Sequence, residues 1–422
     1  MQRYDLISCH DCGVLHRKCA LRPREKARCT RCGAILYRGT SSDLARVVAL
    51  ILGAALVFLI AQCSPIVEIT YSGIRSSATL MGAIRVLWSE QMRVVATLVF
   101  LFTVLFPAVE LGALLYVSLG LRAGFKVPGF DLLLRAVRAA RRWGMIEVLM
   151  IGILVTLIKM TAVARVAPQP GLFAFAVLTM MLAVVIAIDP KALWNIGDDL
   201  APQAPPRLDY AALLASGVEL LPCHACGLVT PFAPGAPGLR RRCARCGGVL
   251  HHRHPDSVNR TWALLLSAAL LYLPANVLPV MYTRSLLGVQ EDTIMSGVVY
   301  FWESGSRALA VIVFTASIVV PLLKLAVLAL LAATAQRRSS WRPLQRTRLY
   351  RLIEFIGRWS MLDIFVVTLT VALVRFDAAG EITPGPGAFA FGLVVVLTML
   401  ASMQFDPRLI WDHPSPLGEK HA

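Results

Sequence analysis

The chain has 422 residues, of which 57% are hydrophobic and only 16% are charged, and its formal net charge is +17. A soluble multidomain protein of this length needs a large polar shell, so the composition argues against that class. The positive charge is clustered in a few segments, a pattern that membrane orientation and anionic headgroups explain without nucleic acid.

From the N-terminus, the first element is a pair of cysteine knuckles, which assigns residues 1–40 to a metal ribbon. Cys9 and Cys12 form one Cys-x2-Cys pair, and Cys29 and Cys32 form the second. In a reducing cytoplasm this spacing predicts a four-thiolate Zn²⁺ site, with iron as the alternative metal. All four coordination positions are filled, so we predict that the metal folds the module and does not catalyse a reaction.

Residues 41–200 form the first predicted transmembrane module, with four apolar segments that approach the ~20 residues needed to cross a bilayer. Three ionisable residues, Glu110, Glu147 and Lys159, lie within or beside these segments. Ionisable groups in a bilayer are costly and usually mark function, so we place these three on a candidate polar path. The alternative for Glu147, and for Asp363 in the second half of the chain, is that the residue lies at the membrane interface and only orients its helix.

The second half of the chain resembles the first at a fixed offset. Residues 201–255 contain a linker and a second ribbon, residues 256–413 a second four-helix module, and residues 414–422 a tail. Every cysteine of the first set recurs 214 positions later; the second set is Cys223, Cys226, Cys243 and Cys246. The same offset relates Trp88 to Trp302 and Pro107 to Pro321. A repeat of this length predicts a tandem duplication and a second zinc ion.

Eight transmembrane helices are predicted in all, which makes the fold class an all-α polytopic membrane protein. The predicted spans are 46–67, 94–119, 144–164, 171–188, 261–283, 308–334, 360–375 and 387–405.

The polar residues of the second module differ in charge from those of the first. Lys324 occupies the position equivalent to Glu110, and Asp363 follows an Arg-Trp pair as Glu147 does. A lysine can extend its ammonium group along a helix toward the interface, so we predict that Lys324 pairs with Asp363. Both residues complete the candidate polar path.

The distribution of Lys and Arg predicts the orientation. Ten fall in residues 1–46, six in 120–142 and seven in 335–359, whereas only three fall in 68–93 and two in 284–307. By the positive-inside rule, both ribbons and both chain ends are cytoplasmic. No ATPase, metalloprotease or serine-hydrolase motif is present, so we expect no enzyme activity.

Several of these segments resemble the paraquat-inducible protein A family. They are the knuckle pairs, Leu273-Pro-Ala-Asn276-Val-Leu-Pro279, Glu291-Asp-Thr-Ile-Met-Ser-Gly297, Gly357-Arg-Trp-Ser-Met-Leu-Asp363 and Phe405-Asp-Pro-Arg-Leu-Ile-Trp411-Asp. The resemblance implies a multi-pass protein of the bacterial inner membrane, with a zinc ribbon before each helical module. It also implies a periplasmic partner made of MCE domains that forms a hydrophobic tunnel, and phospholipids as cargo.

Three functions therefore compete. The first is a lipid transport subunit that passes phospholipid between the inner membrane and the MCE tunnel. The second is a membrane anchor that seats the tunnel without transporting lipid. The third is a zinc- or redox-responsive membrane sensor.

Overall fold

The protein is mostly helical, with small two-stranded, three-stranded and four-stranded sheets, as a computed structural model shows. It describes residues 6–19, 21–22, 25–39, 44–71, 74–161, 165–200, 219–232, 242–285, 288–305, 307–362, 365–366, 375–376 and 380–412.

Module 1 (residues 44–200) contains seven helices and a three-stranded sheet. In chain order they are α1 (Leu44–Cys63), β5 (Val67–Tyr71), β6 (Ile74–Ala78), α2 (Leu80–Ser89), α3 (Arg93–Arg122), α4 (Phe130–Trp143), α5 (Ile146–Thr161), β7 (Arg165–Pro168), α6 (Pro170–Ile186) and α7 (Pro190–Leu200).

Module 2 (residues 257–412) follows the same order of elements where it is described. They are α8 (Ser257–Val277), β10 (Met281–Ser285), β11 (Gly288–Asp292), α9 (Ile294–Glu303), α10 (Arg307–Phe314, Thr315–Val319 and Val320–Gln336 in one run), α11 (Pro343–Gly357), β12 (Arg375–Phe376), β13 (Gly380–Pro384) and α12 (Pro386–Gln404). Two short 3-10 turns, Arg358–Met361 and Pro407–Trp411, follow α11 and α12.

The two cysteine-rich segments form small hairpins. Ribbon 1 (residues 6–39) has the strand pairs β1–β2 and β3–β4, and ribbon 2 (residues 219–250) has β8–β9 and one isolated bridge. The strands are β1 (Leu6–Ser8), β2 (Leu15–Arg17), β3 (Lys26–Arg28), β4 (Ile35–Arg38), β8 (Glu219–Pro222) and β9 (Val229–Phe232).

Four of the described helices are long and apolar enough to cross a membrane: α1, α3, α12 and the Ala310–Gln336 part of α10. The pair α6 and α7, bent by 56° at its break, forms a fifth candidate. The predicted spans 144–164 and 261–283 correspond to helix α5, which has 16 described residues, and to helix α8, which has 21. The predicted span 360–375 lies largely outside the described residues.

Helices α3 and α10 each contain a proline at an equivalent position. One turn of π-helix precedes each proline, at Leu101–Leu105 before Pro107 and at Thr315–Val319 before Pro321. The wider turn accommodates the missing amide hydrogen, since a π-bulge shifts the hydrogen-bond ladder by one residue. Both helices therefore continue past the proline instead of ending there.

A small antiparallel sheet closes one end of each module. The strand order is β6-β5-β7 in module 1 and β11-β10-β13-β12 in module 2. Two glycines let the following helix approach the end of the first helix: a Cβ on Gly171 would lie 2.5 Å from the Pro65 oxygen, and one on Gly385 would lie 2.2 Å from the Pro279 oxygen. Helix α1 spans about 30 Å at 1.5 Å per residue, which separates ribbon 1 from this sheet.

Candidate functional site

The cysteines of each ribbon lie in tight turns that end in a glycine. Gly13 and Gly33 in ribbon 1, like Gly227 and Gly247 in ribbon 2, have φ between 65° and 76°. This left-handed conformation favours glycine. In each turn the glycine amide donates to the carbonyl of the first cysteine, for example from Gly13 to Cys9 at 3.0 Å. Two such turns face each other and bring four thiols together.

The thiol geometry fits a tetrahedral metal ion. In each ribbon the four sulfurs lie within 4.8 Å of one another, and all four side chains are buried. The Cys9–Cys32 and Cys12–Cys29 sulfurs are 3.4 and 3.5 Å apart, close to the ~3.8 Å edge of a tetrahedron with Zn–S bonds of ~2.3 Å. Burial raises the pKa of Cys32 to about 11. A bound cation would offset this cost by stabilising the thiolates.

The structure also adds polar groups near the thiols that the cysteine spacing did not indicate. Nε2 of His16 lies 3.2 Å from the sulfur of Cys29. Nη2 of Arg351, on α11, lies 3.2 Å from the sulfur of Cys32. Burial lowers the pKa of His224, in ribbon 2, to about 4, so this imidazole is neutral at pH 7. Four buried thiols at this spacing make both clusters suitable for a structural metal ion.

An apolar cleft of about 110 Å³ lies where module 2 meets α3 and α5 of module 1. Its side-chain hydroxyls come from Thr293 and Ser317. The lining residues are Val95, Val155, Val280, Met281, Thr293, Ile294, Gly297, Phe301, Ile312, Val313, Ala316, Ser317, Leu362, Val366, Ala388 and Phe391.

The cleft reflects a difference between α2 and α9, which begin after equivalent N-capping threonines, Thr79 and Thr293. On α2, Leu80 and Leu87 are buried in the core of module 1. Their counterparts on α9, Ile294 and Phe301, line the cleft instead. Every residue of α9 is described, and none is buried. Module 1 is thus closed at the place where module 2 is open.

Glu110 is held in an ion pair that the sequence analysis did not predict. Its Oε1 accepts a hydrogen bond of 2.7 Å from Nε of Arg141, at the end of α4. Arg141 also donates to the carbonyls of Ile188 at 2.8 Å and Val185 at 3.1 Å, near the end of α6. The pair therefore joins three helices and compensates the charge of the buried Glu110 carboxylate within the protein.

Lys324 lies in a different environment from Glu110. Its side chain is 1% exposed, and its Nζ has no hydrogen-bond partner among the residues that the structure describes. A Cβ built on Gly357 would lie 3.3 Å from this Nζ. Gly357 immediately precedes the Arg-Trp pair of module 2, as Arg141 precedes that of module 1. The lysine thus occupies space beside the residue that corresponds to the arginine.

The other candidate polar residues are only partly described. Glu147 is half-buried in the first turn of α5, and Lys159 lies in the last turns of the same helix, with a side chain outside the described residues. Asp363 lies outside the described residues, so its predicted pairing with Lys324 stays a prediction. The sequence analysis did not predict the role of Arg141, because the sequence of an arginine-rich helix does not show which of its arginines pairs with a buried carboxylate.

Comparison with known proteins places these features in a family. The sequence profile of paraquat-inducible protein A matches residues 44–197 and 258–415. The chain belongs to the paraquat-inducible protein A family. No solved structure matches it.

Two relatives from Escherichia coli strain K12 align with the family member over nearly its whole length. Intermembrane transport protein PqiA is 34% identical over 412 residues, which is 96% of this chain and 95% of the relative. Lipophilic envelope-spanning tunnel protein A is 32% identical over 414 residues, or 98% and 92% of the two chains. The resemblance stated from the motifs is thereby confirmed, and the chain is a multi-pass membrane component related to envelope-spanning transport proteins.

Proposed function

We propose that this chain is the inner-membrane subunit of an MCE-type lipid transport system, passing phospholipid between the inner membrane and a periplasmic MCE tunnel. The observation that carries the proposal is the apolar cleft between the modules. Its walls suit acyl chains, and the names of both relatives refer to transport or to a tunnel across the envelope.

The orientation follows from charge and from the order of elements. The ribbons and the arginine-rich helices α4 and α11 are cytoplasmic in this proposal, and the sheets are periplasmic. Helix α1 separates ribbon 1 from sheet β6-β5-β7, as expected for opposite faces of a bilayer. The matching element order supports a tandem duplication, and each ribbon holds one Zn²⁺. The chain has no enzyme activity of its own.

A polar path connects the cleft with the cytoplasmic side. Ser317 lines the cleft, and Lys324 lies seven residues further along α10, or about 10 Å at 1.5 Å per residue. A buried ammonium group attracts a phosphate or a carboxylate, including that of Asp363. Because Arg141 already holds Glu110, the main groups of the path are Lys324 and Asp363 of module 2. Glu147 and Lys159, on α5 of module 1, are its accessory groups, because α5 also lines the cleft.

The experiment blocks the cleft without touching the polar path. Gly297→Trp places an indole in the cleft, and a Cβ at this position meets nothing within 4 Å. Val299→Trp, at an exposed position of the same helix, is the matched control. The tagged chain is purified from native membranes in mild detergent, and bound phospholipid and partner proteins are identified by mass spectrometry.

We expect the parent chain and Val299→Trp to retain phospholipid and an MCE-domain protein, and Gly297→Trp to lose most of the phospholipid while keeping the partner. Equal lipid in all three chains would refute the cleft as the lipid site. An MCE partner without lipid in any chain would favour the non-transporting anchor. Neither partner nor lipid would favour the sensor.

A further inference from the structure

The two ribbons dock crosswise on the helical modules. Ribbon 1 precedes module 1 in the chain, yet its cysteines share a buried cluster with Leu328, Phe405 and Trp411 of module 2. Ribbon 2 precedes module 2, yet its Arg245 forms a 2.8 Å ion pair with Asp198, on α7 of module 1. Each ribbon thus contacts the module that belongs to the other half of the repeat.

Equivalent residues make the two docking contacts. Nη2 of Arg351 on α11 donates to the carbonyl of Cys32 at 3.0 Å, and Nη1 of Arg135 on α4 donates to the carbonyl of Cys246 at 3.2 Å. Cys32 and Cys246 are the last ligands of their ribbons, 214 residues apart. The crossed arrangement is therefore the same on both sides.

The contact on α11 reaches further into its metal site than the contact on α4. Arg351 also donates from Nε to Asp11 at 2.6 Å and from Nη2 to the sulfur of Cys32 at 3.2 Å. Asp11 is 2% exposed and sits between Cys9 and Cys12 in the first turn. The Arg351 guanidinium, from module 2, thus contacts both cysteine turns of ribbon 1, at Asp11 in the first turn and at Cys32 in the second.

Helices α11 and α4, which carry Arg351 and Arg135, are each followed in the chain by a segment that lines the cleft. Helix α11 continues through the 3-10 turn Arg358–Met361 to Leu362, which lines the cleft. Helix α4 ends at Trp143, and α5, which follows it, contributes Val155 to the same cleft. Both helices are therefore connected by continuous backbone to residues that line the cleft.

We propose that the ribbons form a crossed, metal-dependent clasp between the modules, with Arg351 and Arg135 as positioning residues for the metal ligands of the opposite half. Loss of the metal from ribbon 1 releases α11, and loss from ribbon 2 releases α4. Control of the cleft by the clasp rests on the proposed function, whereas the crossed positioning of the metal ligands does not.

The first test measures which ribbon opens in each variant. The full-length chain is purified with zinc, and zinc release to a chelator is timed while alkylation of each cysteine is followed by peptide mass spectrometry. Arg351→Ala is compared with Arg135→Ala and with Arg348→Ala, an exposed arginine on α11. Arg351→Lys serves as a second variant that keeps the charge if the alanine variant fails to fold.

We expect Arg351→Ala to weaken zinc retention about 10- to 100-fold, the usual effect of removing an outer-shell partner. The alkylated cysteines should be those of ribbon 1, Cys9, Cys12, Cys29 and Cys32. Arg135→Ala should expose the ribbon 2 cysteines instead, with a smaller effect because it contacts only a carbonyl. The proposal would be overturned if either arginine variant lost zinc mainly from the ribbon that precedes its own module in the chain, or equally from both ribbons. Zinc release from Arg351→Ala at the rate of Arg348→Ala would also overturn it.

The second test asks whether the clasp controls the cleft. Maleimide labelling of the thiol introduced by Leu362→Cys is measured before and after zinc is removed. We expect several-fold faster labelling after removal, and the same acceleration in a zinc-loaded Arg351→Ala background. Unchanged labelling would limit the ribbons to local folding units and would leave the lipid experiment above unaffected.

Discussion

The ion pair between Glu110 and Arg141 yields the sharpest prediction about stability. The two side chains are 7% and 15% exposed, so both charges are largely removed from water. Arg141 also satisfies the carbonyls of Val185 and Ile188, at the end of α6. Removing the carboxylate leaves a largely buried guanidinium with carbonyl partners but without its ion-pair partner.

The expected cost of this change is large. Breaking a buried ion pair by removing one partner destabilises a protein by about 3–5 kcal/mol, because the remaining charge is desolvated without compensation. Glu110→Ala should therefore lower the melting temperature by roughly 10 °C, at ~2–4 °C per kcal/mol for a domain of this size. Glu110→Lys should cost at least as much, since it places two cations together.

The arrangement in module 2 predicts a second substitution that restores part of the stability lost in Glu110→Lys. There Lys324 lies against Gly357, at the positions that correspond to Glu110 and Arg141. The double variant Glu110→Lys with Arg141→Gly recreates that arrangement in module 1. It removes the second cation and opens space for the lysine, so it should be clearly more stable than Glu110→Lys alone.

The assay is thermal unfolding of the purified full-length chain in detergent, followed by the fraction that remains monodisperse after heating. Arg142→Ala is the control, because Arg142 is the exposed neighbour of Arg141. A melting temperature of Glu110→Ala within 2 °C of the parent, or a double variant no better than Glu110→Lys, would refute the reasoning.

Two further predictions concern backbone packing and metal content. Gly385→Ala should destabilise module 2 by about 1–3 kcal/mol, because its Cβ would lie 2.2 Å from the Pro279 carbonyl oxygen. Gly297→Ala, whose Cβ meets nothing within 4 Å, should not lower the melting temperature in the same measurement and should raise it slightly, because alanine stabilises a helix interior relative to glycine. Cys9→Ser should reduce bound zinc from two ions per chain to one, measured by elemental analysis; retention of both ions would contradict the four-thiolate assignment.

The metal clusters were predictable from the sequence because their geometry is local. A Cys-x2-Cys-Gly segment encodes both the thiol spacing and the left-handed glycine that closes the turn, and the structure shows both. Strand β5 (Val67–Tyr71) is likewise a local feature, because β-branched and aromatic residues favour strands. These features need no information about distant parts of the chain.

The partners of the charged residues were not predictable in the same way. Arg141 follows Arg138 and precedes Arg142 on an arginine-rich helix, and hydrophobic periodicity does not show which arginine turns toward Glu110. Crossed docking leaves no trace in the repeat either, because an offset of 214 is the same whether a ribbon contacts its own module or the other one. Both depend on tertiary packing between distant segments.

The two modules differ at equivalent positions, and these differences indicate that the modules have different roles. Module 1 buries Leu80 and Leu87 of α2 and neutralises Glu110 internally, so neither its apolar face nor its charge is available to a ligand. Module 2 leaves the equivalent face of α9 open to a cleft and keeps Lys324 without a partner among the described residues. Two copies with the same role would be under the same constraint to close or to open. The observed contrast fits the proposed function, in which module 2 holds the ligand and module 1 supports it, with the ribbons joining the two modules crosswise.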